Sequence, residues 1–142
     1  MKKTTRVTGF GGIFFKAKND KKLRAWYEKH LGLPLDPAWG GWSIPWRDPK
    51  NPRKKGYSVW SVFPKDSEYF GSTKQPFMIN YRVKDLKKLL AVLKKEGVGV
   101  DPKVEDTEFG KFGWVRDSEG NRIELWEPVR PPNRRQKRRK SK

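Results

Sequence analysis

The sequence predicts an α+β fold in which two modules of order βαβββ form one curved, half-barrel-like mixed sheet with the helices on its outer face. The first observation is an internal repeat at an offset of about 65 residues, where a strand pattern leads into an amphipathic run. The second is that the start and stop signals of the two predicted helices have equal spacing, twelve residues from Asp20 to Gly32 and twelve from Asp85 to Gly97. The third is that β-like pieces follow each run. Helices on one face of such a sheet leave the other face open as a cleft.

The strand that opens each module shows the alternation of a half-buried strand. In the first module Ile13 and Phe15 share one face, opposite Gly12 and Phe14. In the second module the alternation runs through residues 78–83. The later β-like pieces are residues 42–46 and 57–63 in the first module, separated by a loop at 47–56, and residues 100–104, 111–116 and 122–127 in the second, with a hairpin turn at 117–121.

Each helix has a start signal, an apolar stripe and a stop signal. Asn19 or Asp20 caps the first helix and Asp85 caps the second, while Gly32 and Gly97 supply the left-handed residue that ends them. The predicted stripes are Leu23, Trp26, Tyr27 and Leu31 in the first helix, and Leu86, Leu89, Leu90 and Leu93 in the second.

The chain is divided into an N-terminal segment (1–8), a single domain (9–127) and a basic tail (128–142). Within the domain, module 1 spans about 9–63, module 2 about 77–127, and residues 64–76 join them. The tail holds eight Lys or Arg and no acid, so we expect it to be disordered. Two roles are open for residues 130–142: non-specific binding of nucleic acid or another polyanion by counterion release, or a solubilising tail.

Composition sets the remaining bounds. The net charge is +18, and the absence of cysteine excludes disulfides and thiolate metal sites. No apolar run reaches membrane-spanning length, and no signal-peptide pattern follows Lys2 and Lys3. We therefore expect a cytoplasmic protein without a membrane partner.

Three stretches carry a resemblance to a known family: residues 11–33 with Ala25-Trp26-Tyr27 and Leu31-Gly32-Leu33, residues 78–98, and residues 117–126 with the pattern acid-x-x-Gly-Asn-x-hydrophobic-Glu. Together they resemble the vicinal oxygen chelate superfamily, the group of glyoxalases, bleomycin-resistance proteins and ring-cleaving dioxygenases. The resemblance implies paired βαβββ modules, a homodimer and a small organic ligand.

Metal-dependent members of this superfamily place one ligand on each of four strands. Carried onto this sequence, the pattern falls on Gly12, Trp60, Met78 and Glu124, where Trp60 is obtained by aligning residues 59–61 with 123–125. Only Glu124 is a good ligand for a divalent ion. The only histidine, His30, lies in the last turn of the first helix, where a cation favours the helix dipole. We therefore predict no metal and no other cofactor.

Strand parity predicts which side chains line the cleft. An aromatic wall with few polar groups suits a small aromatic or amphipathic molecule, although the same rings would also simply fill the core. The segment with Trp39, Trp42 and Trp46 is expected to cover the cleft. The predicted lining residues are Gly12, Phe14, Trp60, Met78, Asn80, Arg122, Glu124 and Trp126, joined by Trp114 and Phe112 from the neighbouring strand.

Three roles are open for Glu124: a structural ion pair with Arg122, Arg82 or Lys16, an anchor for a ligand, or a general acid or base. Asn80 is either an amide anchor for the ligand or a partner of local backbone. Three functions follow from these roles. The first is metal-independent binding of a small molecule, including sequestration. The second is an isomerase or lyase that uses Glu124. The third is a scaffold whose basic tail engages nucleic acid.

Overall fold

The computed structural model describes residues 6–71 and 74–129. Nine elements follow one another along the chain, two helices and seven strands in these residues. In order they are β1 (Val7–Ala17), α1 (Asp20–Leu31), β2 (Trp42–Asp48), β3 (Asn51–Pro64), β4 (Phe77–Val83), α2 (Leu86–Lys95), β5 (Val100–Thr107), β6 (Gly110–Arg116) and β7 (Arg122–Pro128). The predicted basic tail from residue 130 onward, and residues 1–5, lie outside the described part of the chain.

All seven strands form one open mixed sheet in the order β2-β3-β1-β4-β7-β6-β5. The modules meet at its centre, where β1 and β4 run antiparallel and Ile13 pairs with Ile79. Within each module the first strand is parallel to the last, β1 to β3 and β4 to β7. This confirms the predicted fold class. Among the described residues the first module contributes three strands to the sheet and the second contributes four.

The loop predicted at residues 47–56 is wrong, because β2 and β3 form one long hairpin. Trp46 pairs with Gly56 and Arg47 with Lys55, so the strands continue almost to the turn. The Asp48 side chain accepts a hydrogen bond of 2.8 Å from the Lys50 backbone, which stabilises that turn. Proline and lysine are tolerated here because this end of the hairpin is exposed, and β1 pairs with β3 only from Val59 onward, which leaves one side of β3 at residues 51–56 without a paired strand.

The helices begin at the predicted caps and end at or just before the predicted glycines, since α2 ends at Lys95 with Glu96 as its C-cap and Gly97, at φ 84°, follows. Asn19 caps α1 through a 3.0 Å bond from the Lys22 backbone, and Asp85 caps α2 through a 3.1 Å bond from the Lys88 backbone. Gly32, with φ 65°, terminates α1 in the left-handed conformation. These local signals therefore determine the helix boundaries.

The two helices differ in how deeply they pack. Helix α2 buries Leu86, Leu89 and Leu90 in a core completed by Val83, Val115 and Leu125 from the sheet. Helix α1 has no buried residue, although Tyr27 packs against the ring of Trp60 at 5.0 Å. The predicted stripe of α1 is thus largely open, with Trp26 48% and Leu31 59% exposed.

A second core lies on the concave face, opposite the helices. Its buried members are Phe14, Met78, Trp114 and Phe70. Phe70 comes from the connection between the modules and packs against this face, together with Tyr69. In residues 6–71 and 74–129, neither helix has the length and apolarity needed to cross a bilayer.

Candidate functional site

Glu124 lies at the centre of the concave face and is completely buried. Strand β7 presents it between two neighbours in register, Asn80 on β4 and Trp114 on β6. Alternation along β7 turns Ile123 and Leu125 toward the helices and Glu124 away from them. The predicted inward direction of this side chain agrees with the structure.

Three neutral donors hold the Glu124 carboxylate. Asn80 Nδ2 donates to Oε1 at 2.6 Å, and Trp114 Nε1 donates to Oε2 at 3.0 Å. The Tyr69 hydroxyl, from the connection between the modules, also donates to Oε2. Two donors therefore belong to the sheet itself, and the third reaches in from outside it.

The candidate ion pairs of Glu124 with Arg122 and with Arg82 are not formed, because each arginine binds another group. Arg122 Nη1 pairs with Asp101 Oδ2 at 2.8 Å. Arg82 donates to the Tyr57 carbonyl at 2.8 Å and lies over the Trp126 ring. Among the described residues neither arginine forms an ion pair with Glu124. Hydrogen bonds from uncharged groups therefore carry the stabilisation of this carboxylate.

The burial of Glu124 raises its pKa to about 6, because a charged carboxylate loses its hydration there. The hydrogen bonds from Tyr69, Asn80 and Trp114 oppose this rise, since they favour the charged form. Burial, followed by the charge of Glu124, also raises the pKa of the Tyr69 hydroxyl, so Tyr69 keeps its proton and remains a donor. Glu124 is thus the group of this cluster that exchanges a proton near neutral pH.

Asn80 does not bond local backbone as one interpretation of the sequence had it; its amide binds Glu124. Its Oδ1 is buried and has no hydrogen-bond partner in the described part of the chain. A Cβ at Gly11 would overlap this oxygen, and a Cβ at Gly12, where φ is 145°, would overlap the Val59 carbonyl. Both glycines lie at a register shift of β1. Gly11 allows the Asn80 side chain to approach the strand, and Gly12 allows the Val59 backbone of β3 to do so.

The placement of Trp60 in the cleft is wrong. Its ring packs against Phe15 at 5.2 Å and against Tyr27 of α1 at 5.0 Å, on the helix side of the sheet. The pairing of Ile13 with Ile79 makes Phe14 the counterpart of Asn80, and Phe14 pairs with Ser61 on β3. The counterpart of Glu124 is therefore Ser61, and the sequence alignment was off by one residue, which reverses the face.

The other predicted lining residues do come together on the concave face. Phe14, Met78, Trp114 and Trp126 are all buried there, with exposed fractions of 8% or less. Phe112 stacks on Trp126 at 5.9 Å. The guanidinium of Arg122 lies 5.0 Å from the centre of the Trp114 ring.

The expected cover of the cleft is found only in part. Trp39 is 46% exposed, and Trp42 belongs to the edge strand β2. Trp46, on the same strand, has its ring 4.8 Å from the guanidinium of Arg82, which also lies over Trp126. Tyr69 and Phe70 lie over the face, with Tyr69 stacked on Phe63 at 5.3 Å. The sequence signal for this cover is the aromatic pair Tyr69-Phe70 inside an otherwise polar connection, which lies between the two copies of the repeat.

The donor set does not fit the metal of the superfamily. The four strand positions carry Gly12, Met78, Ser61 and Glu124, and both oxygens of Glu124 already accept hydrogen bonds. Within residues 6–71 and 74–129 no three His, Asp or Glu side chains lie close enough together to hold a metal ion.

Solved structures share this architecture. Methylmalonyl-CoA epimerase from Mycobacterium tuberculosis matches with a TM-score of 0.61 and 20% identity over 92% of this chain and 94% of that chain. A variant of the Streptomyces coelicolor methylmalonyl-CoA epimerase, in complex with 2-nitronate-propionyl-CoA, gives a TM-score of 0.63 and 15% identity over 87% and 99%. A hypothetical protein from Bacillus halodurans gives 0.58 and 15% over 87% and 96%. No family model matches the chain, and no curated protein matches its sequence.

Methylmalonyl-CoA epimerases belong to the vicinal oxygen chelate superfamily. The chain is therefore similar in fold to members of that superfamily. At identities of 15–20% the likeness concerns the fold and assigns no activity to this chain.

Proposed function

We propose that this chain is a vicinal-oxygen-chelate-type protein that binds a small aromatic or amphipathic molecule on its concave face without a metal ion. The observation that carries the proposal is the fully buried Glu124 carboxylate, held by three neutral donors from three different segments. Burying a carboxylate without a cation destabilises a fold, so such groups mark candidate functional sites.

The position of Tyr69 supports a specific mode of binding. Of the three donors to Glu124, Asn80 and Trp114 are fixed on strands, whereas Tyr69 lies on the connection. Its phenol occupies the place that a ligand hydroxyl or amine would take, between Glu124 and the rings of Phe14 and Trp114. A ligand that displaces Tyr69 therefore replaces one hydrogen bond with an equivalent one.

The test uses p-cresol and tyramine as probes, with tryptophan fluorescence and calorimetry as readouts. Both probes should give saturable changes with the wild-type protein, and Tyr69→Ala should bind p-cresol more tightly because the competing phenol is gone. Tyr27→Ala is the matched control, since it removes a tyrosine that packs on the helix side. Absence of saturable binding by the wild-type protein and by Tyr69→Ala would show that the concave face is only a core.

A catalytic role is the second candidate, and the observation that favours it is the raised pKa of Glu124, about 6. An isomerase or lyase of this kind would use Glu124 to remove a proton next to a carbonyl group. Deuterium exchange into small carbonyl compounds, followed by NMR, tests this. Glu124→Gln should abolish exchange while leaving p-cresol binding largely intact, and no exchange by the wild-type protein contradicts the catalytic role.

Assembly and charge complete the proposal. The exposed stripe of α1, with Trp26 and Leu31, supports the homodimer, which light scattering tests directly.

The net charge of +18 favours the scaffold function, in which residues 130–142 bind nucleic acid by counterion release. Deleting residues 130–142 should then remove retention on nucleic acid at physiological salt, and unchanged retention would end that candidate.

A further inference from the structure

Two arginines lie opposite each other on the neighbouring strands β6 and β7. Arg116 on β6 and Arg122 on β7 are directly opposite in the antiparallel register. Like charges in this position repel each other and destabilise the pairing of strands. The arrangement therefore calls for a negative group nearby.

A cavity of about 300 Å³ lies beside this pair. Both arginines line it, together with Trp114, Asp101 and the backbone at Gly99. The volume is at the lower end of the range of small-molecule sites. Trp114 separates this cavity from Glu124, because its indole donates to Glu124 while its ring lies under Arg122.

Asp101 balances one of the two positive charges. It accepts from Arg122 Nη1 at 2.8 Å and from the Lys103 backbone at 2.9 Å, and the Arg122 hydrogen bond lowers the pKa of its carboxyl, so Asp101 stays charged. Arg116 donates from Nη1 to the Gly120 carbonyl at 3.0 Å, which is a neutral partner. One positive charge therefore remains uncompensated by the acid of this cavity.

Arg122 is also held in place with donors to spare. Its side chain is 13% exposed, and its backbone N–H and carbonyl bond the Gln75 side chain at 2.8 and 2.9 Å. Among the described residues its guanidinium has one hydrogen-bond partner, Asp101, and its buried Nε has none. A fixed guanidinium with unused donors is suited to bind a planar or tetrahedral oxyanion.

We propose that this cavity is an oxyanion site, in which Arg116 and Arg122 together bind a carboxylate or phosphoryl group of a small molecule. The bound anion places its oxygens between the two guanidinium groups and relieves their repulsion. The site is separate from the Glu124 cluster and stands even if binding at that cluster fails.

The test titrates benzoate and inorganic phosphate into the wild-type protein at constant ionic strength, with calorimetry and NMR as readouts. The expected result is saturable binding of at least one probe, weakened about tenfold or more in Arg116→Gln because one charged hydrogen-bonding partner is lost. Benzoate and phosphate serve as separate arms that distinguish a carboxylate ligand from a phosphoryl ligand.

Arg53→Gln is the matched control, since it removes the same charge from an exposed position on the β2–β3 hairpin. It should change affinity less than about twofold. Arg116 is exposed, so Arg116→Gln should fold normally, which thermal unfolding checks. Equal weakening by Arg116→Gln and Arg53→Gln, or no saturable binding of either probe, would overturn the proposal. Arg116→Gln should leave p-cresol binding unchanged, which separates this result from failure of the Glu124 site.

Discussion

The pH dependence of stability gives the sharpest prediction, and it depends on Glu124. Burial raises the pKa of this carboxyl from 4.5 to about 6 in the folded state. The folded protein therefore binds more protons than the unfolded chain between these values, and stability falls as pH rises through that window. The size of the rise corresponds to about 2 kcal/mol, which is fully present below pH 4.5 and lost above pH 6.

The Glu124→Gln variant isolates this effect. Glutamine does not titrate, so the difference in unfolding free energy between the wild-type protein and the variant should fall by about 2 kcal/mol from pH 4 to pH 7. The variant must be compared with the wild-type protein because other acids also titrate. Asp101 and Asp117 have lowered pKa values in the folded state, so they make the free energy of unfolding rise with pH. Glutamine also places an amide donor against Trp114 Nε1, which shifts the difference by a constant amount at all pH values.

Urea unfolding at half-unit intervals of pH, followed by fluorescence, measures the difference. A difference that does not change with pH would show that Glu124 titrates normally, and the argument from burial would fail. A difference that rises with pH would show that the hydrogen bonds from Asn80, Trp114 and Tyr69 outweigh the loss of hydration.

Three further substitutions test other contacts by urea unfolding. Tyr69→Phe removes one donor to Glu124 and should destabilise by about 1.5–3 kcal/mol at pH 8 and by less at pH 5, where the carboxyl is protonated; an equal loss at both would contradict this. Gly11→Ala should destabilise by about 1–3 kcal/mol through overlap with the Asn80 oxygen, whereas at Gly99 the added Cβ is 3.8 Å from Arg116 and Ala should be nearly neutral. Leu86→Ala, at a fully buried position, should lose about 2–5 kcal/mol against less than about 1 kcal/mol for Val92→Ala at an exposed position of the same helix.

The helices were predictable because their signals are local. The cap at Asp85, the stripe from Leu86 to Leu90 and the stop at Gly97 depend on residues that are neighbours in sequence. The pairing of the modules followed from the repeat, which fixes the type of each element but not its register. The prediction of a loop at residues 47–56 was wrong for the opposite reason. Pairing between β2 and β3 extends the strands into this segment and outweighs its turn-forming composition.

On the first module the sequence correctly predicted Phe14 on the concave face, and on the second module it predicted most of the site. The acid-x-x-Gly-Asn-x-hydrophobic-Glu pattern located Glu124, and strand parity located Asn80 and Trp114. The prediction that Trp60 faces the cleft was wrong because a shift of one residue in the alignment of β3 moves its side chain to the other face of the sheet. Nothing in the local sequence of β3 fixes that register. Tyr69 was missed because its contact with Glu124 spans 55 residues and arises from the path of an irregular connection.

The asymmetry between the modules explains which chemistry the concave face supports. Asn80 and Glu124 are polar, while their counterparts in the first module, Phe14 and Ser61, give an aromatic ring and a small hydroxyl. In the ligand pattern of metal-dependent superfamily members both modules contribute, and here the two first-module positions carry Gly12 and Ser61, which are poor ligands for a divalent ion. A single polar cluster facing an apolar wall instead suits a molecule with one hydrogen-bonding end and one aromatic side.

Replacing Phe14 with His should therefore not create a metal site, because the hydroxyl of Tyr69 would still occupy the Glu124 carboxylate. A divalent ion bound stoichiometrically by Phe14→His, measured by calorimetry, would contradict this account, and binding by Phe14→His/Tyr69→Ala alone would show that the cover is what excludes it.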